Sequence, residues 1–154
     1  MILDHDWIVR HIAHQGRMCL LDTVEAWDPQ RIICRAGSHR AGDNPLRADG
    51  RLGAACGIEY AAQAMAVHGV LQAGSQDRGA RIGYLISIRG ASLRVARLDD
   101  IAGDLLVEAN CISSNDEHVL YRFSVKAEDR LLLDGRAAIV TDAGTRTTDT
   151  ERKI

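Results

Sequence analysis

The sequence predicts an α+β fold: an antiparallel sheet wrapped around one long central helix, within a single domain. Three observations carry that expectation. Residues 50–74, GRLGAACGIEYAAQAMAVHGVLQAG, have helical spacing of apolar residues but are nearly as apolar on the other side, so this helix belongs inside. Short strand-like segments separated by turn residues flank it on both sides, the pattern of hairpins. The resulting order, strands then one helix then more strands, is that of a helix laid on one face of an antiparallel sheet.

Taken in order, Asp6–Ile12 reads as a short amphipathic turn or helix, with Trp7, Ile8 and His11 available to pack. Met18–Leu21 is apolar, and Thr23–Trp27 alternates like a strand before a turn at Asp28-Pro29. Arg31–Ala36 is a second strand, pairing with the first as a hairpin. The stretch GSHRAGDNPLRADG is a loop rich in Gly, Asp and Asn. Asp49 is the expected N-cap of the central helix, which at about 20 residues is about 30 Å long. After Gly74, the polar loop SQDRGA leads into Ile82–Ile88 and Ala91–Val95, one long strand bent near Arg89-Gly90. Asp99–Gly103 breaks the chain. Leu105–Ser113, Val119–Ala127 and Leu131–Val140 are the remaining strands, with turns at Asn115 and at Glu128–Arg130. One sheet cannot cover both sides of a helix that is apolar all round, which argues for a dimer. The domain is expected to span residues 1–141, with a polar, disordered tail at 142–154.

A chain of 154 residues can bury a core unaided. Its net charge of -2 has no basic bias, which speaks against a nucleic-acid partner. No apolar run reaches the length of a membrane span. The start, MILDHDWIVRHIAH, has acids where a signal peptide has bases, so a cytoplasmic location is expected. Cys19, Cys34, Cys56 and Cys111 lie apart in apolar contexts with no C-x-x-C pair, as buried thiols do. His5, His11 and His14 with Asp4 and Asp6 fit no standard ligand spacing, so no metal is expected.

Against the alanine-rich helix, Glu59 stands out, with Gln63 one turn on along the same face. A carboxyl placed inside must be paired, protonated or used, and desolvation is how a carboxyl is tuned for acid–base work. His68 lies nine positions on, about half a rotation from Glu59, and cannot share its site within one chain.

Three stretches carry a resemblance: IAHQGRMCLLDTVEAWD, GIEYAAQAMAVHG, and RIGYLISIRGASL through GDLLVEANC. Together they resemble the hotdog-fold β-hydroxyacyl-(acyl carrier protein) dehydratases, and most of all the dehydratase-like proteins of aryl-polyene gene clusters. The resemblance implies a hotdog domain that dehydrates acyl chains carried on the phosphopantetheine of acyl carrier protein, in fatty-acid or polyene-type biosynthesis, with no cofactor of its own. It places the family's Glu at Glu59 and its Ala-Gln pair at Ala62-Gln63.

Two departures stand out. The family's opening Pro-His-Arg is Ala13-His14-Gln15, and the loop that usually holds a catalytic His reaches Pro45-Leu46 instead. The nearest upstream histidine is His39. The resemblance therefore implies Glu59 and His39 as the working pair, His39 of one chain facing Glu59 of the other across a dimer. Backbone donors for the thioester oxygen are expected at Gly53 and Ala54, where a helix start offers N–H groups. Gln63, His14 and Arg17 are further candidate substrate contacts, with a turn-bridging role for His14 and a solvated one for Arg17 and His39 as the alternatives. Two other readings stay open: a hotdog thioesterase in which Glu59 activates water, and a non-catalytic hotdog subunit paired with an active dehydratase.

Overall fold

The computed structural model describes residues 2–75 and 83–141. The expected tail at 142–154 and nearly all of the SQDRGA loop lie outside the described residues. Helix α1 (His5–His11) is capped by Asp4, whose carboxylate accepts the Trp7 N–H at 2.9 Å. Strands β1 (Thr23–Asp28) and β2 (Arg31–Ala36) form the expected hairpin. The central helix α2 spans Gly57–Ser75. Strands β3 (Gly83–Leu93), β4 (Leu105–Ser114), β5 (His118–Ala127) and β6 (Arg130–Thr141) follow. All pair antiparallel in one sheet of order β1-β2-β4-β5-β6-β3, curled around α2. This is the hotdog architecture.

Turn chemistry sets the strand ends. Asn115 Oδ1 accepts the N–H groups of Glu117 and His118, both at 2.8 Å, closing the β4–β5 turn. Glu128 and Asp129 both take positive φ, 54° and 62°, to reverse the chain in two residues between β5 and β6. β3 bends where expected: Gly90 has φ 60°, and the register to β6 slips between Arg89 and Ser92.

The start of α2 differs from the expectation by seven residues. Asp49 does not cap it. Asp49 and Gly50 have φ 54° and 74° and close a tight turn instead. Residues 52–54 then run extended beside 96–98, with Leu98 N–H donating to the Leu52 carbonyl at 2.8 Å and Ala54 N–H to the Ala96 carbonyl at 3.1 Å. Asp99 accepts the Leu52 N–H at 2.9 Å, and the Arg97 guanidinium bonded to it holds its carboxyl well below the usual range. A 3-10 turn at Ala54–Cys56 leads into the helix. Long-range backbone pairing has overridden local helical pattern here.

The core lies between α2 and the concave face of the sheet. Tyr60, Ala61, Ala64 and Val67 of α2 meet Val107, Phe123, Val125 and Leu133, all almost wholly buried. Burying a Val, Leu or Phe side chain contributes about 1.5–3 kcal/mol. Gly57 makes close approach possible: a Cβ there would sit 2.6 Å from Leu133 Cδ2. One face of α2 is not covered by the sheet. Ala66 and Gly69 are exposed, and Glu59 and Ala62 are half-buried. Cys19 and Cys34 are buried and Cys56 and Cys111 half-buried, and all four are free thiols. Among the described residues no helix is long and apolar enough to cross a membrane.

The two sheet edges are unlike. β1 is flanked by Leu3, which exchanges both backbone hydrogen bonds with Val24 at 3.1 and 2.8 Å. β3, at the other end, has no such cover among the described residues. Tyr84, Leu85, Ile86 and Leu93 there are 42–55% exposed.

Candidate active site

The uncovered face of α2 forms one wall of a cleft of about 340 Å³. Glu59, Ala62, Ala66 and Gly69 follow one another along that wall, the spacing that puts side chains on one helix face. The opposite wall comes from the start of β3 (Tyr84, Leu85) and from Tyr121 and Ile139. Alanine and glycine leave the groove open, while the sheet makes it apolar. Its polar end holds His14 and Glu59.

His14 Nε2 lies 3.0 Å from Glu59 Oε1. Because a carboxylate only accepts, Nε2 carries the proton it shares with Glu59. The other ring nitrogen, Nδ1, is buried and has no hydrogen-bond partner among the described residues, so the ring meets the site through Nε2. The two side chains are 30% and 34% exposed. Glu59 is therefore at the mouth of a groove rather than sealed in an apolar interior, contrary to expectation. It sits in the first turn of α2, where the positive end of the helix dipole favours a carboxylate.

Gln63 ties this pair to the scaffold. It is fully buried; its Oε1 accepts Leu20 N–H at 2.9 Å, and its Nε2 donates to the Met18 carbonyl at 2.6 Å and to Glu59 Oε1 at 3.3 Å. One side chain on α2 thus pins the segment that follows His14 and orients the carboxylate as well. Oε1 of Glu59 receives two donors, and Oε2 none among the described residues. A second network secures the neighbouring loop. Asn44 Nδ2 donates to Tyr60 Oη at 3.1 Å, the Tyr60 hydroxyl pairs with Ser38 Oγ at 2.7 Å, and Ser38 Oγ donates to the Leu20 carbonyl at 2.7 Å.

The structure does not bring His39 and Glu59 together within the chain. His39 is wholly buried in its own subunit, with Nε2 donating to the Ile101 carbonyl at 3.0 Å, and burial lowers its pKa. The ring is enclosed entirely by its own chain. The short 3-10 turn Ser38–Arg40 carries the ring inward onto the 101–104 loop, and Arg40 reinforces that contact through the Ala102 carbonyl and Asp104.

Gly53 and Ala54 do not line the cleft, and the Ala54 N–H is spent on the Ala96 carbonyl at 3.1 Å. Arg17 points away, with its side chain 73% exposed and 3.8 Å from Asp43. His68 is, as its spacing requires, on the far side of α2. Its Nε2 lies 2.7 Å from the Asp28 carbonyl and its Nδ1 2.6 Å from Tyr121 Oη. A carbonyl only accepts, so Nε2 holds the proton and the Tyr121 hydroxyl donates to Nδ1. This fixes Tyr121, a residue of the cleft wall that strand alternation alone cannot distinguish from core.

A comparison with curated protein sequences gives no match. Among solved structures, a chain of the dehydratase heterocomplex ApeI:P from Xenorhabdus doucetiae superposes with TM-score 0.80 at 19% identity, over 93% of this chain and 95% of that one. Zebra fish thioesterase superfamily member 2 gives TM-score 0.64 at 11% identity, covering 88% and 94%. A Haemophilus influenzae thioesterase gives 0.58 at 13% identity, covering 86% and 80%. At these identities the likeness establishes the fold. The ApeP-like family model, described as ApeP dehydratase, matches residues 7–148, most of the sequence, and the chain belongs to that family.

Proposed function

We propose that this protein works in the cytoplasm as a dehydratase of β-hydroxyacyl thioesters carried on acyl carrier protein, in fatty-acid or polyene-type biosynthesis, with Glu59 and His14 as its working pair. The observation that carries this reading is the 3.0 Å contact between His14 Nε2 and Glu59 at the polar end of an apolar cleft. Glu59 Oε2 takes the α-proton of the substrate. The electrons of that C–H bond form the Cα=Cβ double bond, the β-C–O bond breaks, and the protonated carboxyl returns its proton to the departing hydroxyl, which leaves as water. His14 is a positioning residue: its N–H holds the carboxylate at the mouth, assisted by Gln63. The acyl chain extends along Ala62, Ala66 and Gly69, and the phosphopantetheine arm of the carrier protein enters from the open end.

The exposed β3 edge supports assembly with a second hotdog subunit, either a copy of this chain or a different one. The structure from Xenorhabdus doucetiae, named as a heterocomplex, supports the form with a different subunit. A partner at that edge would roof the cleft, because the start of β3 forms one wall.

The test is turnover of a β-hydroxyacyl thioester against a plain acyl thioester, by the chain alone and with its partner subunit. Glu59→Gln, which keeps size and hydrogen bonding, is expected to lower dehydration by at least about 100-fold with unchanged thermal stability. His14→Ala is expected to lower it less and to shift the pH profile, with partial recovery in His14→Gln, whose amide can still donate. His39→Ala is expected to affect stability but not kcat/KM in the protein that remains folded. Hydrolysis of the plain acyl thioester without dehydration favours the thioesterase reading. Dehydration by the assembled complex that is indifferent to Glu59 favours the non-catalytic subunit.

A further inference from the structure

The convex face of the sheet, away from α2, carries two parallel rows of side chains with no part in the cleft. In the first, Arg122 of β5 stands directly opposite Arg136 of β6, and Arg136 directly opposite Arg89 of β3. All three are exposed, and Arg122 and Arg136 point outward because Tyr121, Phe123 and Ala137 beside them point in. Like charges directly across strands destabilise a sheet, and none of these arginines is paired with an acid among the described residues. Arg31, further across the same face, is by contrast paired with Glu108 at 2.8 Å.

The second row lies two residues along the same strands. Leu120 is opposite Ala138, Ala138 is opposite Ser87 beside Ile86, and Ile112 sits at the bulge of β4 next to Leu120. Ile86, Ile112 and Leu120 are 55%, 50% and 42% exposed. With Arg89 and Arg136 they line an open groove of about 460 Å³.

The two rows are about 7 Å apart and run about 10–15 Å across the strands, from the residue rise and strand spacing of a sheet. That separation is narrower than an α-helix, at about 10–12 Å. A helix laid across the strands therefore covers both rows at once. We propose that this face docks an amphipathic helix of a partner protein, two to three turns long, with its apolar side on Ile86, Ile112 and Leu120 and carboxylates along one flank. Arginine suits that flank because its planar fork takes a carboxylate in two hydrogen bonds. A nucleic acid would need a longer basic stripe without the apolar row. This inference is independent of the catalytic reading.

The experiment measures fluorescence anisotropy of a labelled helical peptide with leucines on one face and glutamates on its flank, titrated with the purified full chain. Two controls are a scrambled peptide of the same composition and one with lysine in place of glutamate. The amphipathic acidic peptide is expected to bind at least about fivefold more tightly than either control, and salt should weaken it. Arg122→Glu with Arg136→Glu, and separately Leu120→Ser, should each weaken it by at least about fivefold. The single change Arg136→Glu should also raise Tm by about 1–3 °C by relieving like-charge repulsion, so that lost binding is not lost folding. Equal binding of the scrambled peptide, unchanged binding by the charge-reversed variants, or a fall in Tm overturns the proposal. Preferential binding of anionic phospholipid vesicles overturns it in favour of a membrane surface. Loss of self-association in Arg136→Glu overturns it in favour of a second copy of this chain.

Discussion

His39 and His68 are the two histidines that folding encloses completely, and each is held by a backbone carbonyl. Burial is the largest influence on both, and it lowers both pKa values from the ordinary 6.5. In the unfolded chain they take up protons near pH 6.5, while the folded protein resists until lower pH. The unfolded state then binds more protons, so stability falls as pH drops below about 6.5, and these groups add no pH dependence well above it. Tm measured from pH 8 to 5 should therefore be nearly flat at the upper end and decline below 6.5. His68→Gln and His39→Gln should each make that decline shallower, although each lowers Tm at pH 7.5 by disturbing a buried hydrogen bond worth about 1–3 kcal/mol. A decline of the same slope in both variants would assign it to other groups.

At the scale of the element, α2 is built from small residues for two different reasons. Gly57 is small because β6 crosses it, with Leu133 where a Cβ would go. Gly69 meets nothing within 4 Å and faces the cleft. Gly57→Ala gains up to about 1 kcal/mol of helix propensity but overpacks the core at a cost of about 1–3 kcal/mol. A net loss of stability is expected, seen as a lower urea midpoint, and Leu133→Val should cost less in that background than alone. Gly69→Ala should instead be neutral or stabilising. A Gly57→Ala protein as stable as the parent would mean that α2 shifts off the sheet at little cost.

The whole molecule is asymmetric in what it leaves open. One sheet edge is flanked by the N-terminal segment, whereas β3 presents backbone unpaired among the described residues, with Tyr84, Leu85 and Ile86 exposed. Such an edge is an association site unless something pairs with it. Light scattering at micromolar concentration should give twice the chain mass, or a one-to-one complex when a second hotdog subunit is present. Leu85→Lys should dissociate it, while a monomeric parent protein would count against edge pairing. Because β3 also walls the cleft, dissociation should reduce turnover even though Glu59 and His14 belong to one chain.

Much of this was readable from local pattern. Period-two alternation and turn residues placed β1, β2, β4, β5 and β6 within a residue of their observed ends, and Gly90 marked the bend in β3, because those signals are set by neighbours in sequence. Glu59 was legible for a similar reason, as a carboxyl in an apolar helix. Its partner was not. His14 and His39 are each one polar residue in a loop, and only the closed fold, with Gln63 pinning Met18 and Leu20 and the Ser38–Arg40 turn carrying its histidine inward, decides which ring meets the carboxylate. The first turn of α2 starts later than its local pattern predicts for the same physical reason: residues 52–54 satisfy their backbone on a segment more than 40 positions away. The row of Arg89, Arg136 and Arg122 also exists only through register, since no local pattern tells which residues three strands will set side by side.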